Sequence, residues 1–487
     1  MVSNSVVLVT VDCLRADHVG FLGYDRLTTP FLDSLASESV VLPAAVAAGS
    51  PTYYSFPATF ASRPPLALGR DVLGIAPGEP TLASVLLESG YRTAAFSAAN
   101  PYISSRFGYE SGFDTFEDFL ANDTGAVSNV TVDALRRPSR INQVIAHGSH
   151  QLGPLGNVYD ELYFQYCQRW ATSTPKSMSE LRRFPSADVV VNAAIAWLNS
   201  IGDSPFFLWL HLMDPHAPYY PTEEGIQMLK LREVSPFRAR YLNSLWQRKE
   251  LGVRRLRQHR DDVVGLYDAG IRWVDFQVKR LVENLRDLGH WQKCVFALTA
   301  DHGEEFLDHG GRFHPPVGLF EEIVHVPFML RVPSLPKKSQ PKSAFSLLNL
   351  SPTLLDALQI EVPTDFFGKS CWARMKEGIG WDEPAIIECV SGCTNPFWPQ
   401  QRIGPRILGV RDSRYKLILH FDESRELMFD LEVDPRELSP LPVDADRPIR
   451  RRLLDHARAH LAAKQNESAR LRARIRDIRL ECAKPVA

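Results

Sequence analysis

The chain has 487 residues, 45% of them hydrophobic and 23% charged, with a net charge of −2. That length exceeds one small core and calls for a large domain with a smaller companion, while the near-neutral charge gives no basis for nucleic-acid binding. Seven scattered cysteines without a Cys-x-x-Cys pair exclude a disulfide framework and a zinc knuckle.

The chain opens on a strand, Val6–Val11, with five residues before it and neither a basic region nor a small-residue cleavage site. A secretory signal is therefore not expected. No apolar run approaches the ~20 residues of a membrane-spanning helix. The expectation is a cytoplasmic protein without an integral membrane anchor. The strand delivers Asp12 to its carboxyl end, where it either caps a turn or faces a cation. A loop, an amphipathic helix from about Pro30 to Glu38 and another short strand follow.

In Ala48–Pro65, Ser50 and Pro51 form a loop and Ser55–Ala61 read as a short helix, with Thr52 just before it. A hydroxyl there is an N-cap, or a nucleophile toward an anionic ester, since the helix dipole and free N–H groups favour negative charge. Residues of about 120–180 read as a substrate-shaping insertion whose aromatic cluster YDELYFQYCQRW could pack as a lid helix. Ser186–Ser200 has helical periodicity and leads into the strand Pro205–Leu212. At that strand's carboxyl end, among prolines, stand His211, Asp214 and His216. Tyr267–Leu281 and beyond form a helix with apolar residues at three- and four-residue spacing, in which Asp268 and Asp275 read as structural.

Val295–His314, VFALTADHGEEFLDHGGRFH, is the stretch the rest serves. Its apolar start forms a buried parallel strand, which breaks into Asp301 and His302 where open α/β sheets carry their catalytic groups. Such a pair caps a helix or binds a metal. Glu304, Glu305, His309 and His314 nearby favour the metal, although His309 and His325 suit packing or the surface. Ser346–Leu358 reads as a helix closing the main domain. After about Gly368 the pattern changes to short strands, and Arg447–Ile478 is Arg-rich and helical, suiting a solvated face or a homo-oligomer contact.

The ordered pieces VTVDCLRADHVG, GSPTYYSFPATFAS, GYRTAAFSAANPY, HLMDPHAPY, TADHGEEFLDHGG, LFEEIVHVPFMLRVP and GVRDSRYKLIL together resemble the sulfatase family of the alkaline phosphatase superfamily. The resemblance spans most of the chain, with gaps around 120–180 and 223–262 and in the tail. It implies an α/β fold: a large mixed, mostly parallel sheet sandwiched by helices over residues 1–368, a small C-terminal antiparallel sheet over 369–445 and a helical tail over 446–487.

The resemblance also implies roles. Asp12, Asp301 and His302 match metal positions, and one divalent ion is expected, Ca2+ or Mn2+, with Zn2+ an alternative. Thr52 stands at the nucleophile position, where sulfatases carry a cysteine oxidised to formylglycine, and Tyr54 and Phe56 replace that motif's Pro and Arg. No formylglycine is expected. His216 and His314 match positions that contact the ester, and Asn100 stands where the pattern has Lys and His. Cys13 replaces the second of two tandem Asp residues, lowering negative charge and favouring a more borderline cation.

A sulfated Thr has no second hydroxyl to expel sulfate, whereas a phosphorylated Thr is cleared by in-line attack of water at phosphorus. The implied activity is therefore a metal-dependent hydrolase of sulfuric or phosphoric esters, phosphoesters favoured, acting on a small-molecule, glycan or lipid ester. A soluble phospho-alcohol transferase and a non-catalytic binder of anionic ligands are the rival readings.

Overall fold

A computed structural model describes residues 4–70, 72–120, 164–166, 175–232, 234–333, 335 and 341–463. The lid segment read in the insertion, save residues 164–166, and the tail beyond 463 lie outside the described residues.

The large domain is built on a seven-stranded sheet. Its strands are β1 (Ser5–Val11), β2 (Val40–Val41), β3 (Arg92–Ser97), β4 (Thr115–Glu117), β5 (Phe206–Leu212), β6 (Cys294–Ala300) and β7 (Phe328–Arg331), in the order β2-β7-β6-β1-β5-β3-β4. β6, β1, β5, β3 and β4 run parallel, while β7 and β2 form an antiparallel edge. The central strands β1, β5 and β6 are buried along their whole length, which is why they read as nearly continuous apolar runs rather than alternating ones.

Register places the site. Val11 pairs with both Leu212 and Ala300, so the next residues, Asp12 and Asp301, emerge side by side at one sheet edge. The Asp12 amide still donates to Leu212 O at 2.8 Å.

Helices cover the sheet: α1 (Pro30–Ala36), α2 (Thr52–Ala61), α3 (Ala187–Leu198) and α4 (Arg260–Asp287). α4 extends seven residues before the start read from periodicity, because its first turns, with Asp261 and Asp262, are polar but carry Val263 and Val264 into the core. Asp275 of α4 accepts from the amides of Phe31 and Leu32 at the start of α1, and Asp268 pairs with His18, so both serve packing. The helix read over Ser346–Leu358 is a 3-10 turn, Leu347–Asn349, followed by an α-helix, Leu350–Ala357. Pro352 at the third position of that helix starts it afresh, since proline has no N–H to extend a preceding turn.

A four-stranded antiparallel sheet follows, made of β8 (Ala385–Val390), β9 (Arg406–Arg411), β10 (Tyr415–His420) and β11 (Arg425–Asp430). Period-two alternation gives it two apolar faces. Ile407, Ile418 and Phe429 pack on Tyr53, Tyr54 and Ile323 of the large domain, and Leu408, Leu417 and Met428 pack under Leu453 and Ala457. The helix over 447–463 therefore spends its apolar stripe on this sheet, which leaves the homo-oligomer reading without support from that face. Among the described residues no helix is long and apolar enough to cross a membrane, and the five described cysteines are free and buried.

Candidate active site

Thr52 is the first residue of α2, not the residue before it: the helix starts directly after Pro51, and Tyr54 N and Ser55 N both bond to Pro51 O. This puts the hydroxyl at a helix N-terminus, where unpaired amides and the dipole favour anions. Thr52 is buried, and its Oγ1 lies 3.2 Å from His302 Nε2. His302 Nδ1 lies 2.9 Å from Gly303 O, a carbonyl that only accepts, so Nδ1 carries the proton and Nε2 presents a lone pair. Nε2 is 3.4 Å from Asp301 Oδ2 and 3.8 Å from Asp12 Oδ1.

The two carboxylates differ in their support. Asp12 Oδ2 accepts from Asn100 Nδ2 at 2.9 Å and faces His211 Nε2 at 3.3 Å, and Cys13 Sγ donates to Oδ1 at 3.1 Å. Burial works to raise Asp12, but the charge of His216 and the His211 hydrogen bond take it well below the usual carboxylate range. Asp301 Oδ1 accepts from the amides of His302 at 3.0 Å and Cys13 at 3.4 Å, while its buried Oδ2 has no hydrogen-bond partner. Burial and the neighbouring Asp12 charge raise its pKa. Two carboxylates, one of them with an orphaned oxygen, an imidazole lone pair and a hydroxyl thus converge in a buried space. This donor set fits a divalent cation.

Asn100 donates one of its two amide N–H groups to Asp12, and its Oδ1 accepts from Tyr102 N at 3.0 Å, so it orients a carboxylate of the site. Asp214 turns away from the site, bonding to Arg182 and to the amide of Ala187.

His314 follows a short hairpin, Glu305–Phe306 with Arg312–Phe313, that folds it back over the site. Its ring centroid is 4.5 Å from that of His302 and 5.1 Å from that of His216. His314 Nδ1 lies 3.1 Å from Glu304 Oε2, and Tyr219 donates to Glu304 Oε1 at 2.9 Å. Burial works against charge on Glu304, yet His314 and His216 keep its pKa lowered. His216 Nδ1 bonds to Ala217 O.

His309 and His325 lie apart from these groups. His309 stacks on Phe320 and pairs with Glu322, and His325 contacts Pro43 O.

Sequence reading passed over Arg15 and gave Cys13 and Glu304 only part of their roles. Cys13 is a hydrogen-bond donor as well as a replacement for Asp. Its φ of 62° lies in the left-handed region, which is costly for a non-glycine residue, and the Tyr267 hydroxyl clamps it there, donating to Cys13 O at 2.7 Å and accepting from Arg15 N at 3.0 Å. Burial and the charges of Glu304, Asp12 and Asp301 keep the Cys13 thiol well above its ordinary pKa. Glu304 orients His314, and Arg15 ties the two loops at the strand ends together by bonding to Glu304 O and Asp308. The signal for Glu304 was the run Asp301-His302-Gly303-Glu304, but its partner Tyr219 is far away in sequence.

The family model for sulfatases matches residues 4–360, and the model described as N-sulphoglucosamine sulphohydrolase, C-terminal, matches residues 312–464. An arylsulfatase of Clostridium perfringens is 25% identical over 474 residues, covering 90% of each chain. The fold is similar to that of a phosphonate monoester hydrolase of Agrobacterium radiobacter, with TM-score 0.63, 19% identity and 95% and 96% of the two chains covered. It is also similar to that of a protein solved with its substrate D-glucosamine-2-N,6-O-disulfate, with TM-score 0.64, 16% identity and 96% and 98% covered. With the sheet order, the strand-end aspartates and these matches in agreement, the chain belongs to the sulfatase family, hydrolases of the sulfuric and phosphoric ester class on an alkaline-phosphatase-like fold.

Proposed function

We propose that the chain cleaves an anionic ester by nucleophilic attack of the Thr52 hydroxyl, with phosphoesters favoured over sulfuric esters. The observation that carries this reading is the buried contact of Thr52 Oγ1 with His302 Nε2 at the start of α2. Asp12, Asp301 and His302 would hold a divalent cation, Ca2+ or Mn2+ on the strength of the carboxylates, or Zn2+ on the strength of the imidazole and Cys13. Bound there, such an ion lowers the pKa of an adjacent hydroxyl and polarises an ester.

The chain's own groups do the positioning. His302 is fixed in one tautomer by Gly303 O and keeps its lone pair on the Thr52 side. The α2 N-terminus favours the charge that gathers on the ester oxygens. His216 and His314 cluster with His302 and would contact the ester oxygens. Asn100 and His211 hold Asp12 in place.

Threonine selects the substrate class. It cannot become formylglycine, and a sulfated threonine has no internal route to release, whereas phosphothreonine yields to water attacking in line at phosphorus. The fold likeness to phosphonate monoester hydrolase accords with that preference.

The experiment is turnover of matched aryl phosphate monoester, phosphodiester and sulfate substrates with Mn2+, Ca2+ and Zn2+, for wild type and Thr52→Ala. Phosphoester turnover that falls by about 10³-fold or more in the variant is the expected result. Undiminished turnover in Thr52→Ala would sink the reading.

A further inference from the structure

The site reaches solvent on one side. Asp12, Thr52, Asn100, Asp301 and His302 are buried, whereas His216 and His314 are partly exposed, so an ester enters past those two imidazoles. The connection between β8 and β9, residues 391–405, borders that entrance. Gly392 N donates at 3.0 Å to the carbonyl of Pro316, two residues after His314. The hydroxyl of Tyr53, the neighbour of Thr52, donates to Cys393 O. The Phe397 ring stacks on that of Tyr102, two residues after Asn100, with centroids 5.4 Å apart and planes at 27°. One loop of the small sheet thus touches the segments that carry Thr52, His314 and Asn100.

We infer that this loop is a specificity subsite, in which the Trp398 indole takes a flat apolar group, such as an aryl ring, on the organic half of the ester.

Three observations support it. The first is rigidity. Gln401 Oε1 accepts from the amides of Thr394 and Asn395 at 3.0 and 2.7 Å, and Asn395 Oδ1 accepts from Phe397 N at 3.0 Å. Arg70 donates to Ile403 O at 2.6 Å and so ties the far end of the loop to the large domain. The Arg106 guanidinium lies 5.2 Å from the centroid of the Phe397 ring, and Phe107 tilts against that ring at 5.5 Å. A loop held in this way loses little freedom when a ligand settles on it.

The second is exposure. Trp398 directly follows the pinned Phe397, yet it is 58% exposed. The loop therefore fixes the backbone of an indole whose apolar area the rest of the described chain leaves in water. Tryptophan in such a place is the side chain best suited to cover a planar group, by area and by stacking. Val317, next to Pro316, is exposed as well and extends the apolar rim.

The third is the direction of the polar groups. The side-chain oxygens of Gln401 and Asn395 turn inward onto backbone amides of the loop itself. What these side chains brace is aromatic surface, which suits a flat apolar group better than a polyol that needs acceptors for its hydroxyls.

The subsite rests on the functional reading above for the anionic half of the ester, and adds the organic half. It does not depend on the role of Thr52.

The test is calorimetric titration of the full chain, with Mn2+ present, by methylphosphonate and benzylphosphonate. The two share an anionic head, and a C–P bond replaces the scissile ester bond, so binding is read without turnover. Wild type is expected to bind benzylphosphonate about tenfold or more tighter than methylphosphonate. Trp398→Ala should bring the two affinities within about twofold while leaving that for methylphosphonate unchanged, and Trp398→Phe should restore most of the gain. The position is exposed, so both variants keep the fold. Equal affinities in wild type, a benzyl gain that survives in Trp398→Ala, or a larger gain for glucose 6-phosphate than for benzylphosphonate would overturn the subsite alone. Binding of neither phosphonate would overturn the anionic site and the subsite with it, so the two failures are told apart.

Discussion

Thr52 and His302 stand 250 residues apart in the chain and meet at 3.2 Å, Oγ1 to Nε2, in a buried space at the carboxyl edge of the sheet. The contact joins the first turn of α2 to the loop after β6. Its consequence is that hydroxyl and side-chain shape can be tested separately. Thr52→Val keeps the branched shape and removes the oxygen, so it should fold with little loss of stability yet lose about 10³-fold or more in kcat/KM. Thr52→Ser keeps the oxygen but frees χ1 and should retain turnover within about 100-fold. Steady-state kinetics on an aryl phosphoester, with thermal unfolding as the control, reads both.

Asn100 donates one amide N–H to Asp12 at 2.9 Å and accepts from Tyr102 N at 3.0 Å. Its removal should act through Asp12. Asn100→Ala is expected to weaken Mn2+ binding by about 10- to 100-fold, the usual cost of losing a group that orients a ligand. Calorimetric titration with Mn2+ measures this directly. Unchanged affinity with a reduced kcat would mark Asn100 as a group that touches the ester.

Gly303 is tied to the backbone of the short helix Glu321–Val324. Its amide donates to Ile323 O at 2.7 Å, and a Cβ there would lie 2.0 Å from Glu322 O and 3.3 Å from the Arg15 side chain. A backbone carbonyl cannot step aside as a side-chain end can. Gly303→Ala should therefore cost about 1–3 kcal/mol in chemical denaturation and weaken cation binding, since the displaced residue follows Asp301 and His302.

Much of this site was legible in the sequence because it is laid out by strand ends. The runs before Asp12 and Asp301 are almost wholly apolar, as suits central parallel strands, and their ends in register put both carboxylates at one edge. The C-terminal strands were legible as short runs after about Gly368, and their antiparallel pairing came from the family resemblance. The bond from Asn100 to Asp12 was not legible for the opposite reason: which partner an amide meets is a fact of three-dimensional packing. The start of α4 was missed because its first turns are half polar and gain their burial only against the chain around them. The reach of Cys13 to both His314 and Asp12 depends on its positive φ, which nothing in a cysteine's local sequence announces.

His309 supplies a pH dependence away from the site. Burial opposes its charge, but the hydrogen bond and charge of Glu322 at 2.7 Å, with Glu437 O beyond, raise its pKa from 6.5 to about 9. The folded value lies above the unfolded one, so this stabilisation is complete below about pH 6.5 and is lost as pH rises through about 9. Solvent reaches part of the ring, and the effect should amount to about 1 kcal/mol. His309→Gln should flatten the fall in unfolding free energy between pH 6.5 and 9 measured by urea titration. An unchanged slope would assign the fall to other groups.

Replacing Cys13 should change which cation the strand-end site prefers. Its sulfur sits beside Asp12 Oδ1 at 3.1 Å, in a backbone conformation that aspartate tolerates better than cysteine does. Cys13→Asp should therefore fold without added backbone strain. It replaces a soft donor by a hard oxygen and a proton-bearing thiol by a permanent charge. Without an ion, that charge would crowd Asp12 and Asp301, so the apo-protein should unfold at lower temperature than wild type. With Ca2+ present the order should reverse, because each added carboxylate ligand strengthens a hard cation, and Ca2+ affinity should rise by about tenfold or more. Thermal unfolding with and without Ca2+, set beside the same pair of scans with Zn2+, checks both halves. A Ca2+ response equal to that of wild type would mean that residue 13 does not face the ion.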